Sequence, residues 1–203
     1  MAAGAGYGPA VVLMLCTGNV CRSPIAAALL SRRLAVLGEA VTVRSAGTAQ
    51  QGCPPPPEVV SVMAGYGIDL ASHRSRVVTL SELADADLVL GMAREHVRHA
   101  VVTAPDAWPR AFTLRELVRQ GEQAGPRLAS EPLLSWVARA HDGRQRAHLL
   151  GDSPDDDVAD PMGGPPQAYA ATAAVLDMLV SRLADMCWGP SSVAPRAGAP
   201  RDR

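Results

Sequence analysis

One stretch constrains this chain more than any other: Cys16-Thr17-Gly18-Asn19-Val20-Cys21-Arg22-Ser23-Pro24. An apolar block of strand length, Val11 to Leu15, leads into it. Ile25 to Leu30 leads out of it, with Pro24 suited to a first helical turn and Gly38 to a stop. The stretch is therefore a loop between a buried strand and a helix start. Five residues separate Cys16 from Arg22, enough to wrap one tetrahedral anion. Loop N–H groups and the helix N-terminus point at such an anion, and Arg22 can fork onto it with two parallel hydrogen bonds. Cys16 then lies beneath the bound phosphorus as a nucleophile, and the same positive field favours its thiolate.

The rest of the chain reads as strands alternating with helices. Val41 to Ser45, Leu88 to Met92 and Ala111 to Leu114 are the further strands. Helices are expected over Pro24–Leu37, Glu58–Tyr66, Ser81–Ala86 (with Ser81 as its cap), Arg94–Val102, from Arg115 to Gln120 and onward, Leu133–Ala140 and Gln167–Met186. This order predicts an α/β domain over 10–188, with a small parallel four-stranded sheet covered on both faces. Residues 1–9 are Gly-rich and read as a flexible terminus. Residues 189–203, rich in Pro, Ala, Ser and Arg, read as a disordered tail. Residues 121–157 are harder to place; their Asp155-Asp156-Asp157 run reads as a solvated acidic loop, since a calcium loop needs a Gly and a terminal Glu it lacks.

Composition excludes several functions. The formal charge is −1 over 203 residues, which gives no broad electrostatic case for nucleic acid or an anionic membrane. Lys is absent, so no lysine nucleophile exists. The apolar run around Ala10 to Cys16 is too short to span a bilayer, and Met1 to Pro9 lacks the parts of a signal peptide. The four cysteines, Cys16, Cys21, Cys53 and Cys187, form no C-x2-C pair, which argues against zinc and against a disulfide framework. A reducing cytoplasm fits them. Met63, Trp108, Trp136 and Trp188 read as core or docking groups.

The C-x5-R-S spacing, with its Asn, second Cys and Ser-Pro, resembles the phosphate-binding loop of the low-molecular-weight protein tyrosine phosphatases. The resemblance runs from about Val11 to Met186. It implies a cysteine-dependent phosphomonoesterase that forms a phosphocysteine, with phosphotyrosine proteins as the favoured substrate and neither metal nor cofactor. It implies that residues Thr17 to Ser23 bind the phosphoryl group, that Arg22 stabilises the transition state and that Ser23 donates to the thiolate while also capping the helix. Val158-Ala159-Asp160-Pro161 resembles the family's Asp-Pro loop, which makes Asp160 the general acid, with Asp155, Asp156 and Asp157 as competitors. Asn19, Ser45 and His73 match a set in which Ser and His hold a strained loop Asn. Cys21 becomes a backup thiol that captures oxidised Cys16 as a disulfide.

Two departures stand out. Aromatics usual beside the family's pocket are replaced by Gln50-Gln51 and Met162-Gly163; Trp108 or Trp136 are alternative sources of a wall. Val20 stands where relatives acting on phosphoarginine carry Thr. An arginine phosphatase is therefore an alternative, as is a non-catalytic phosphate-binding or partner-binding module. A thiol-based arsenate reductase fits poorly, because residues 80–100 hold no resolving cysteine.

Overall fold

The computed structural model describes residues 9–189. Apart from Pro9 and Gly189, the expected flexible terminus 1–9 and disordered tail 189–203 lie outside the described residues. Four strands form one parallel sheet: β1 (Ala10–Cys16), β2 (Val41–Gly47), β3 (Leu88–Gly91) and β4 (Ala111–Thr113), in the spatial order β2-β1-β3-β4. Each β1 side chain from Val12 to Leu15 is 0–1% exposed, as expected for a strand buried on both faces. Alternation along β1 divides the core. Val12 and Met14 join the cluster beneath α1 (Arg22–Leu37), α2 (Pro57–Gly65), α5 (Leu114–Ala124), α6 (Leu133–His141) and α7 (Pro166–Trp188). Leu13 and Leu15 face α3 (Leu80–Asp85) and α4 (Arg94–Thr103) on the other side.

The α/β class and the parallel sheet follow the sequence reading, with element ends moved by at most four residues. Gly38 stops α1 as expected: at φ 73° its N–H reaches the Ala35 carbonyl, while Glu39 N–H reaches Leu34, a left-handed cap. The cap of α3 is corrected. Thr79, not Ser81, accepts from Glu82 N–H at 3.2 Å, and Glu82 reaches back to Thr79 N–H at 3.0 Å; this reciprocal box satisfies two orphan donors where Ser81 would satisfy one. Two short 3-10 turns, Pro105–Arg110 and Arg146–Leu149, were not expected.

The acidic run is also corrected. Asp156 is 5% exposed and bridges Arg94 at 2.6 Å and Arg119 at 2.7 Å. Asp157 accepts from Arg94 N–H at 2.8 Å, capping α4, and from Ser153 N–H at 3.0 Å. Burial pushes the Asp156 carboxyl up, but the hydrogen bonds from Arg119 and Arg94 more than reverse this and leave it below the usual carboxylate range. Residues 121–157 thus join the domain. Trp136 and Val137 enter the core, and Arg144 lies between Phe112 and Trp108, its guanidinium carbon 3.7 Å and 4.3 Å from the two ring centres. Among the described residues no helix is long and apolar enough to cross a membrane.

Candidate active site

β1 lies between β2 and β3, so the chain leaves its C-terminal end where crossovers depart in opposite directions. Open parallel sheets build their binding crevices there. The turn from Cys16 to α1 fills this crevice, and its path depends on Gly47 at the end of β2. A Cβ at Gly47 would lie 2.7 Å from the Thr17 carbonyl oxygen, a steric overlap. With hydrogen there instead, that carbonyl accepts from Thr48 and Ala49 N–H at 3.0 and 3.1 Å.

Asn19 organises the loop. It is fully buried and sits at φ 49°, a left-handed conformation that Asn tolerates better than most residues. Its backbone N–H donates to Cys16 Sγ at 3.2 Å. Its Nδ2 donates to Ser23 Oγ at 2.9 Å and to Ser45 Oγ at 3.0 Å. Its carbonyl accepts from His73 Nε2 at 2.7 Å, and its Oδ1 accepts from Arg76 N–H at 3.1 Å. The expected Asn19, Ser45 and His73 set is therefore in contact. Arg76 is an addition invisible in sequence, since only its backbone takes part; pairing between Gly47 and Val77 lays that segment beside β2.

Cys16 is 3% exposed and its sulfur lies 3.0 Å from Ser23 Oγ. Asn19 N–H and the Ser23 hydroxyl thus converge on one sulfur atom. Arg22, 5% exposed, donates from Nη1 to the Val158 carbonyl at 3.2 Å and from Nη2 to Asp160 Oδ2 at 2.6 Å. Asp160 is the carboxylate of the 155–160 region that lines the Cys16 pocket. Asp156 and Asp157 are engaged elsewhere, and Asp155 lines a different cavity. A pocket of about 210 Å3 joins Cys16, Arg22, Val20, Asp160, Gln50 and Met162.

Thus Gln50 and Met162 do stand at the wall where the sequence placed them, while Gln51 does not line this pocket. Neither Trp108 nor Trp136 supplies a wall: Trp108 stacks on Arg144, and Trp136 is fully buried with its Nε1 donating to the Gly125 carbonyl at 2.8 Å. Cys21 also lines the pocket, yet it is a thiol rather than a thiolate. Burial pushes it up to about 12, Asp160 and Cys16 push the same way, and Arg22 offsets only part.

His96 was missed by the sequence reading. It is 1% exposed, accepts from Ala93 N–H at Nδ1 (2.9 Å) and so presents Nε2–H to Thr17 Oγ1 at 3.0 Å. Burial, helped by the charge of Arg22, drives its pKa down to about 3, so it is a neutral donor. A single His in α4 carries no sequence signal of such a contact with a loop far along the chain.

The family model described as "Low molecular weight phosphotyrosine protein phosphatase" matches residues 11–129. A probable low molecular weight protein-tyrosine-phosphatase, EpsP of Ralstonia solanacearum, is 40% identical over 107 residues, covering 52% of this chain and 71% of that one. The protein-arginine-phosphatase of Geobacillus stearothermophilus is 32% identical over 178 residues, covering 87% and 95%. The crystal structure of a low molecular weight protein tyrosine phosphatase from T. tengcongensis superposes with a TM-score of 0.66 at 31% identity, covering 87% of this chain and 98% of that one. The loop after β1 and the relatives that share it lead to one assignment: the chain belongs to the low molecular weight phosphotyrosine protein phosphatase family.

Proposed function

We propose that this phosphatase works through Cys16 on phosphotyrosine proteins. The observation that carries the reading is the convergence of Asn19 N–H and Ser23 Oγ on Cys16 Sγ, with Arg22 and Asp160 paired beside it. A phosphoryl group entering the pocket takes over the Arg22 fork. Cys16 Sγ attacks phosphorus and the ester P–O bond breaks. Asp160, freed from Arg22 and protonated from solvent, gives that proton to the departing oxygen. Charge gathering on the equatorial oxygens meets Arg22 and the loop N–H groups from Thr17 to Ser23. Water then attacks the phosphocysteine, Asp160 takes its proton, and the Ser23 hydroxyl stabilises the departing thiolate. A reducing, cytoplasmic setting suits a mechanism that needs this thiolate.

Phosphotyrosine is favoured by the apolar Val20 in the pocket wall, a position that asks for no hydrogen bond. Gln50 and Met162 offer a ring less area than aromatic neighbours. Two lost aromatic contacts weaken binding by about 1 to 3 kcal/mol, or roughly ten- to a hundredfold, chiefly in KM. The second reading is an arginine phosphatase, which the relative matched over 95% of its length favours.

Cys16→Ser tests the assignment. The variant is expected to lose turnover of an aryl phosphate and still to bind vanadate or phosphate, because a hydroxyl is a poor nucleophile while the anion cradle stays intact. Turnover that survives in this variant removes Cys16 as nucleophile. Parallel assays with phosphotyrosine and phosphoarginine peptides decide between the substrates. The phosphotyrosine peptide is expected to be cleaved with the higher kcat/KM, and Val20→Thr to move the ratio toward phosphoarginine.

A further inference from the structure

A second cavity, of about 540 Å3, lies between α5, α7 and the 153–156 loop. Arg94, Arg115, Arg119 and Arg182 line it, against three carboxylates. Two of those carboxylates are already engaged: Asp156 bridges Arg94 and Arg119, and Glu122 pairs with Arg182. The third, Asp155, is exposed to solvent. Arg115 has no hydrogen-bond or ion-pair partner among the described residues, and its Nε–H is buried without an acceptor. Arg115 as a whole is half-buried and lines the cavity, where its guanidinium can meet an oxyanion.

The cavity and the active site are linked by shared wall residues. Arg115 also lines a hollow of about 230 Å3 whose wall includes Asp160 and Pro161, and Asp160 lines the Cys16 pocket. The geometry points to an oxyanion subsite at Arg115 that takes a second acidic group, carboxylate or phosphate, of the same phosphopeptide whose phosphoryl group is bound over Cys16. This rests on the phosphatase reading above. A peptide is the favoured source over a free ion. One unpaired guanidinium in an open cavity holds a free ion weakly, whereas a tethered group arrives at high effective concentration.

The test uses two phosphotyrosine peptides of equal length, one flanked by Asp and Glu, the other by Asn and Gln. Wild type is expected to prefer the acidic peptide about two- to fivefold, through KM, with the preference fading as salt rises. Arg115→Gln is expected to abolish that preference and leave turnover of a small aryl phosphate unchanged. A preference that survives in Arg115→Gln, or its absence in wild type, overturns the proposal. Inorganic phosphate distinguishes the other source: with Cys16 alkylated, phosphate binding that Arg115→Gln removes would identify a free-ion site and overturn the peptide reading. Failure of wild type to cleave any aryl phosphate sinks the phosphatase reading instead. The subsite is then judged by fluorescence anisotropy of the labelled acidic peptide, which Arg115→Gln must weaken.

Discussion

Five hydrogen bonds meet at Asn19, and one ion pair ties Arg22 to Asp160 across a sequence separation of 138 residues. The first arrangement fixes the cradle; the second brings the proposed acid to it. Asp160→Asn is expected to slow cleavage more as the leaving group becomes more basic, because the proton is needed most when the departing oxygen binds it tightly. A nitrophenyl ester should be nearly indifferent. Rates for a series of aryl phosphates against leaving-group pKa check this, and an unchanged slope would reassign the acid. Cys16, Arg22 and Asn19 were legible in the sequence because they sit in one short loop motif whose residue types the anion requires, whereas Ser45 and His73 were legible only through the resemblance to the family. His96 and Arg76 were not. One is a lone His on a helix, and the other contributes a backbone N–H that any residue offers.

At the scale of elements, α5 carries a device that the sequence analysis did not single out. Thr113 and Glu116 form a reciprocal cap, with Glu116 N–H to Thr113 Oγ1 at 3.0 Å and Thr113 N–H to Glu116 Oε2 at 3.2 Å. The same carboxylate receives Arg144 at 2.7 and 2.9 Å, and this pair is nearly solvent-free, with side chains 1% and 9% exposed. Such a pair tolerates loss of one partner far less well than replacement of both. Glu116→Ala is expected to cost about 3 to 5 kcal/mol in urea unfolding. The double variant Glu116→Leu/Arg144→Met recovers most of that, and a double variant no better than the single one refutes the clamp. Strands were legible because their apolar blocks have no other stable use. Within residues 121–157 the helix α6 was legible and the rest was not, because the partners of Arg144 and Trp136 are set by tertiary contact rather than by local pattern.

At the scale of the molecule, the neutral His96 couples the fold to pH. Its folded pKa of about 3 lies below the ordinary 6.5, so between those values the unfolded chain binds more protons than the native one. Stability from this group is full above about pH 6.5 and is lost as pH falls toward 3, at up to ~1.4 kcal/mol per pH unit. Unfolding free energies of wild type and His96→Gln measured from pH 7.5 to 5 check the sign: wild type should fall more steeply, and parallel curves would contradict a buried neutral imidazole. The alternation of strands and helices revealed the class of the sheet, but not that β1 would be flanked on both sides.

That central position of β1 has a further consequence. Cys16 ends a strand that is hydrogen-bonded on both edges and covered on both faces, so its amides can exchange with solvent only when the whole sheet opens. The nucleophile is then lost only with the sheet as a whole, and a half-melted form, shed of α6 or the 146–149 turn, would retain it in place.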